Sequence, residues 1–328
     1  MKWVVKLAVP VLAVIALTLP ASAEPVKIVN IGHGYFSGPL YVAIHEKLFQ
    51  KHGLEPEVIT VKGGSLAFQA VSTHQVDFGV LSYEHILDAA AKGRNLVAIF
   101  NIADRPLNNV VASKELLAQA KGKSLAERVR LLKGHRIGAP SSGGSGEKML
   151  TVLGRENGLQ VPGDVKLVYL GADATAYVGA FRGKVIDAGM PFEPAGVELE
   201  QAGLGGTLIN IMSGEVPAFR DLIFMTVCTY PEMLKKNPEL ARKVVAVFAE
   251  AQQILLDPKR GKEIMAAEYP KLSPESNSKA YDTVSQIWSK DKGKMTLTGA
   301  KKVFDYLQPS GGEKIDFEKT FTNEYLPK

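Results

Sequence analysis

The sequence predicts an α/β protein of two lobes, each a mostly parallel sheet flanked by helices, with a helical C-terminal region. Three observations predict it. Short apolar strands alternate with helix-length segments from Lys27 to Ile211. The alternation repeats once at an offset of 110 residues: Ala70-Val71-Ser72-Thr73-His74-Gln75-Val76-Asp77-Phe78-Gly79 matches Ala180-Phe181-Arg182-Gly183-Lys184-Val185-Ile186-Asp187-Ala188-Gly189, with Ala, Asp and Gly in register. After Ile211 the pattern gives way to one strand and long helices. The 328 residues suffice for two such cores, and 46% hydrophobic with 22% charged residues excludes disorder, collagen-like repeats and a multi-span membrane protein.

The first residues read as an address. Lys2 and Lys6 make a basic start, Val9–Leu19 is apolar, and Ala21-Ser22-Ala23 fits a small-x-small cleavage site. A cleaved secretory signal is expected over 1–23, with the mature chain beginning at Glu24. The apolar run is shorter than the ~20 residues of a membrane span. No cysteine lies near the cleavage point, so no lipid anchor is expected, and the lone Cys228 has no intrachain partner. Export without disulfides suits the periplasm and a core large enough to need no staples. Removing the two lysines leaves 37 basic against 34 acidic residues, a balance of +3, too mild and dispersed for nucleic-acid binding.

The elements follow in order. The first unit reads as strand Lys27–Ile31, helix Leu40–Lys51 closed by Gly53, and strand Glu57–Val61. A short helix then opens at Gly63-Gly64-Ser65, followed by strand Asp77–Leu81, helix Glu84–Lys92 and strand Leu96–Ile102. The second reads as strand His135–Ala139, helix Lys148–Glu156 closed by Gly158, and strand Val165–Leu170. A helix opens at Gly171-Ala172-Asp173, followed by strand Asp187–Met190, helix Pro194–Gly203 and strand Thr207–Ile211. Between the units, Lys114–Lys133 is an amphipathic insertion. Strand Leu222–Thr229 precedes helix Pro238–Leu256, whose Leu240, Val244, Val247, Phe248, Ala251 and Leu255 share one face before Pro258. Further helices are expected over Gly261–Glu268, Ser276–Lys290 and Thr298–Leu307. The expected organisation is lobe 1 over 24–111 plus 224–328 and lobe 2 over 112–223, with crossings near Asn109–Lys114 and Leu222–Thr229.

Ligands of open parallel sheets bind beyond the carboxyl ends of the strands, so the loops there are the candidate site. Lobe 1 offers Tyr35, Phe36 and Ser37, then Gly64 and Ser65, then Ser82 and Tyr83 with Glu84. Lobe 2 offers Ser141, Ser142, Ser145 and Gly146, then Asp173, then Phe192 and Glu193. Ser37, Ser65, Ser145 and Asp173 sit where N-caps belong, and Pro39 and Pro194 suit a first helical turn. Helix starts carry unpaired N–H groups and about +0.5 charge. Two lobes face to face surround a cleft with such donors, hydroxyls and aromatic rings. Capping alone does not require the three Ser and three Gly of 141–146. Glu84, Asp173 and Glu193 either satisfy helix dipoles or, facing the cleft, weaken its pull on a dense anion. Arg105 is a candidate cation and His33 a candidate hydrogen-bonding group.

Catalytic and cofactor motifs fail on inspection. Gly32-x-Gly34-x-x-Ser37 lacks the third glycine of a dinucleotide fingerprint. Gly122-Lys123-Ser124 has Leu117 where a P-loop needs glycine, and His45-Glu46 has Phe49 where a metalloprotease needs histidine. Gly143-x-Ser145 has Glu147 where a nucleophile elbow needs glycine. No Cys/His cluster has zinc spacing. No catalytic residue, metal or cofactor is expected.

Gly-x-x-x-Gly-Pro-Leu-Tyr-Val-Ala at 34–43, Gly53-Leu54, Gly63-Gly64-Ser65, Val76-Asp77-Phe78-Gly79, and Val185-Ile186-Asp187-Ala188 with Pro191 and Glu193-Pro194 together resemble one family. It is the nitrate/sulfonate/taurine and thiamine-pyrimidine-precursor group of ABC-transporter solute-binding proteins, and the resemblance covers most of 25–215. It implies a two-lobed type II periplasmic-binding-protein fold and a ligand gripped between lobes. It also implies delivery to an inner-membrane permease and its ATPase. In that family the loop matching Ser141–Gly146 often lies beside an acidic ligand group. The expectation is therefore a monomeric, non-enzymatic receptor for a small organic anion, a sulfonate or an aromatic or aliphatic carboxylate. An amine or aminopyrimidine ligand is the alternative, and an enzyme on the same fold a further one.

Overall fold

A computed structural model describes residues 23–307 and 315–327. Of the expected signal segment only Ala23 falls within the described residues. In chain order the strands are β1 (Glu24–Asn30), β2 (Leu54–Thr60), β3 (Phe78–Ser82), β4 (Val97–Ala103), β5 (Val110–Ser113), β6 (Arg136–Ala139), β7 (Lys166–Tyr169), β8 (Ala188–Gly189), β9 (Gly205–Ile209) and β10 (Met225–Thr229). They form two sheets of the same plan, ordered β2-β1-β3-β10-β4 and β7-β6-β8-β5-β9. In the first, β2, β1 and β3 are parallel and β10 runs against β3 and β4. In the second, β7, β6 and β8 are parallel and β5 runs against β8 and β9. Four strands of each sheet thus share a direction. The reversed strand in each is the one that follows a crossing between lobes. The expected boundary after Val111 cuts β5. Val110 and Val111 belong with the second sheet, because their backbone groups are spent on Ile209, Thr207 and Gly189.

The repeated Asp has a structural reason. Asp77 Oδ2 accepts from the Lys27 backbone N–H at 2.8 Å, tying the start of β3 to the middle of β1. Asp187 does the same for Arg136 N–H at 3.0 Å, and also takes its guanidinium on both oxygens at 2.8 and 3.0 Å. Both bonds close the sheet at the end away from the loops described above.

The helices are α1 (Gly38–His45), α2 (Leu48–Lys51), α3 (Gly64–Ser72), α4 (Glu84–Ala91), α5 (Lys114–Ala120), α6 (Leu125–Arg130), α7 (Ser145–Asn157), α8 (Ala174–Arg182), α9 (Ala195–Gln201), α10 (Pro231–Lys236), α11 (Pro238–Leu256), α12 (Pro258–Glu268), α13 (Pro274–Val284) and α14 (Leu297–Leu307). The expected helix Leu40–Lys51 is broken in two where Lys47 takes φ +53°, a left-handed conformation that no α-helix continues. The insertion is α5 and α6, opened by Ser113 and by the reciprocal Ser124–Glu127 capping box. The six apolar residues expected on one face of α11 are all buried, and α11 packs on α1 and β4. As expected, α11 ends at Leu256 just before Pro258, and Pro258 then opens α12 behind Asp257, which caps Lys259 and Arg260. The helix expected over Ser276–Lys290 stops at Val284, after which Ile287 and Trp288 turn into the core. Near the C-terminus Thr320 and Phe321 run beside Ala98 at the edge of the first sheet. Among the described residues no helix is long and apolar enough to cross a membrane.

Candidate functional site

The loops leaving β1, β2 and β3 meet those leaving β6, β7 and β8 along a seam between the lobes. His33 N–H donates to Asp173 Oδ1 at 2.7 Å, and Tyr35 N–H donates to the Glu193 carbonyl at 2.9 Å. Ser65 Oγ donates to the Ser142 carbonyl at 2.9 Å and lies 3.5 Å from Ser141 Oγ. Phe36 meets Phe192 edge-on with ring centroids 4.7 Å apart. Lys148 of α7 pairs with Asp88 of α4. Gly32, at φ +148°, fits only because it lacks a side chain: a Cβ there would stand 2.8 Å from that of Ala172 on the other lobe.

Six helices begin at this seam: α1, α3, α4, α7, α8 and α9. In none does the side chain of the N-cap residue bond the first turn. Away from the seam, α5, α6, α11, α12 and α13 are all capped by Ser, Asn or Asp. The short α2 and α10 are uncapped outside the seam. The expected caps fail for identifiable reasons. Ser65 is the second residue of α3, behind the N-cap Gly63, and Ser145 the first of α7, behind the N-cap Gly144. Ser37 occupies the N-cap position, but its Oγ donates to Asn30 Oδ1 at 2.5 Å. Asp173 occupies one too, but spends its carboxylate on His33 across the seam.

Not every expected residue presents its side chain to the seam. The Tyr35 ring stacks on Tyr269 at 5.0 Å and its hydroxyl donates to Asn277 at 3.2 Å, within the C-terminal helices. The Tyr83 hydroxyl shares a 2.5 Å hydrogen bond with Thr320. Ser82 is buried at the end of β3. Gly64 leaves room for His85, whose Nε2 would lie 2.3 Å from a Cβ there. Ser145 and Gly146 are buried at the start of α7, Gly146 so close that a Cβ would meet Pro140 at 2.7 Å. Ser141 is half-buried and Ser142 exposed. Arg105 is not at the seam; it reaches the Met212 carbonyl at 3.5 Å beside a crossing. His33 pairs with Glu268 at 2.7 Å.

The acids divide. Glu193 is buried, and burial pushes its carboxyl up to about 7; it turns back on α9, taking Val197 N–H at 3.4 Å. Glu84 is also buried and also pushed up to about 7 by burial. The Lys148 charge, its own backbone N–H and Ser82 pull it back down, but no hydrogen bond of normal geometry reaches either carboxyl oxygen. His85 beside it is held down to about 3 by burial and is therefore neutral. Sequence reasoning missed His85, Asp88, Lys148 and Asn108, whose amide donates to the Met190 carbonyl across the lobes at 3.0 Å. The one available signal was position, since Glu84-His85 directly follows a strand end.

The family model described as NMT1/THI5 like matches residues 36–260. The Saccharomyces cerevisiae 4-amino-5-hydroxymethyl-2-methylpyrimidine phosphate synthase THI12 is 26% identical over 302 residues, covering 88% of this chain and 83% of that protein. A Bordetella bronchiseptica structure superposes with a TM-score of 0.81 at 24% identity, over 94% of this chain and 97% of its own. The periplasmic aliphatic sulphonate binding protein SsuA from Escherichia coli superposes with a TM-score of 0.66 at 17% identity, over 92% and 99%. Two matching sheets with reversed strands after each crossing, a seam at the strand ends and these likenesses make this a type II periplasmic-binding-protein fold, and the chain belongs to the NMT1/THI5-like family.

Proposed function

We propose that this chain is the exported solute receptor of an ABC importer, closing its lobes on a small organic anion and delivering it, as a monomer, to a permease and its ATPase. The observation that carries the reading is the set of helix starts at the seam whose N-cap residues leave the first turn unbonded, α9 being served instead by Glu193, while five helices elsewhere are capped by their N-cap side chains. Backbone donors at such ends, with the helix dipole, suit a sulfonate or carboxylate. The loop 141–146 supplies the N-terminus of α7 and the Ser145 hydroxyl. Phe36 and Phe192 suit an apolar body, which ranks nitrate and bicarbonate below organic anions. The name of the Saccharomyces relative favours a second ligand class, an aminopyrimidine. No site residue is assigned a catalytic role.

A thermal-shift screen of the protein from Glu24 onward tests this. Its panel is sulfonates, aromatic carboxylates, nitrate, bicarbonate and aminopyrimidines. A ligand at 100 times its Kd raises stability by about 2.7 kcal/mol. With the ligand found, Ser145→Ala costs about 1.5–3 kcal/mol, or about 10- to 150-fold in affinity. Response to inorganic anions alone rejects the organic ligand, and unchanged affinity in Ser145→Ala rejects the anchor.

A further inference from the structure

Glu84 opens α4 and is 1% exposed, and neither carboxyl oxygen has a hydrogen-bond partner. The other two acids that the sequence placed at the seam are spent: Asp173 on His33 N–H, Glu193 on its own helix. Asp88 lies four residues further along α4, on the same face, and reaches Lys148. Lys148 is in the first turn of α7, directly after the loop 141–146. Glu84 therefore faces that turn from the opposite lobe.

Its surroundings compensate it only in part: the Lys148 charge favours the ionised form, and burial outweighs it. The Lys148 ammonium is taken by Asp88, which adds a second negative charge nearby. His85 Nε2 is 3.7 Å from Glu84 Oε1, too far for a hydrogen bond, and its ring packs on Phe68. Tyr306, approaching from α14, has a buried hydroxyl that is itself unpartnered. A buried carboxyl with no hydrogen-bond donor on either oxygen is a cost to folding that the nearby Lys148 charge offsets only in part.

We infer that Glu84 is the acceptor for an N–H group of the solute, so that the ligand carries an amine, amide or amino-substituted ring close to its acidic group. This rests on the receptor reading above and narrows it. An ionised Glu84 accepts from an ammonium or from two N–H groups. A protonated one gives and takes one hydrogen bond, matching a ring nitrogen beside an amino group. A plain alkanesulfonate leaves the acid unpaired and, when it is ionised, repelled.

The test uses matched pairs on the protein from Glu24 onward: aminoalkanesulfonates against alkanesulfonates, amino acids against the corresponding carboxylic acids, aminopyrimidines against unsubstituted pyrimidines. In wild type the N–H-bearing member of the responding pair binds at least tenfold tighter. Glu84→Leu abolishes that preference, while the ligand-free variant melts at or above wild type because an unpaired buried acid is gone. Glu84→Gln, which keeps size and shape should Leu disturb folding, retains binding of an amino-substituted ring and loses at least tenfold for an ammonium. Donor-free members binding as tightly as their partners, or a preference surviving in both variants, overturns the inference and leaves the receptor standing. No response from any pair, with none from the wider screen, removes the receptor reading and the inference with it.

Discussion

At the residue scale the seam is governed by which groups find partners. Ser37, Tyr35, Tyr83 and Asp173 all do, within the protein, and lose the roles their positions suggested. Glu84 does not. The two buried glutamates contribute a pH dependence of one sign, which the single buried His85, kept neutral by burial, opposes only in part. Both carboxyls rise from an ordinary 4.5 to about 7 because burial disfavours the charged form. The folded state then binds protons more tightly than the unfolded chain. The associated stability is fully present below about 4.5 and is lost as pH rises through about 7. The groups facing Glu84 are Ser82, His85, Asp88, Lys148 and Tyr306; those facing Glu193 are Tyr35, Glu200, Lys279 and the first turn of α9. Ligand-free protein should melt at a higher temperature at pH 5.5 than at pH 8, and Glu84→Gln should flatten that difference. A melting temperature that rises over this interval in wild type, or a slope untouched by Glu84→Gln, contradicts the assignment.

At the scale of elements the internal repeat shows what duplication preserves. Asp77 and Asp187 hold equivalent strand starts, but Asp187 also grips a guanidinium. That grip holds its carboxyl down to about 2, so its contribution is present above the ordinary 3.8 and disappears as pH falls toward 2. Asp187→Ala should cost about 1–2 kcal/mol at pH 7 after solvent screening, and Asp77→Ala about 0.5–1.5. Chemical denaturation at pH 7 measures both; equal losses contradict the extra role of Arg136. The repeat was legible because a strand start needing an acid leaves the same spacing twice. The start of α7 and the cap of α8 were less so. Ser145 and Asp173 have capping chemistry in the right neighbourhood, yet one sits a residue late and the other is drawn to the opposite lobe.

Across the whole molecule, the lobes meet where a backbone of one passes a side chain of the other with no room for a second side chain. Gly32 touches Ala172 from the other lobe, at a φ of +148° that side-chain-bearing residues rarely adopt. Gly32→Val should prop the lobes apart: affinity for the identified ligand should fall by more than tenfold, and small-angle scattering at saturating ligand should stay more extended than wild type. Wild-type compactness and affinity in this variant would remove the steric argument. In the cell, deleting the gene should abolish high-affinity uptake of one nutrient while its cytosolic metabolism continues. Normal low-concentration uptake of every ligand found in the screen contradicts the transport role.

What the sequence determined by itself was whatever repeats or alternates along it: two α/β units, the buried face of α11, and the loops that end the parallel strands. These follow from local periodicity and turn chemistry, which neighbouring residues carry in full. Only the tertiary structure decided that β5 and β10 each reverse direction inside a sheet. It also decided that Asp173 answers a backbone N–H 140 residues away, and that Glu84 is left with acceptors and no donor. Whether a polar group is satisfied depends on every group that reaches it, and most of those arrive from distant parts of the chain.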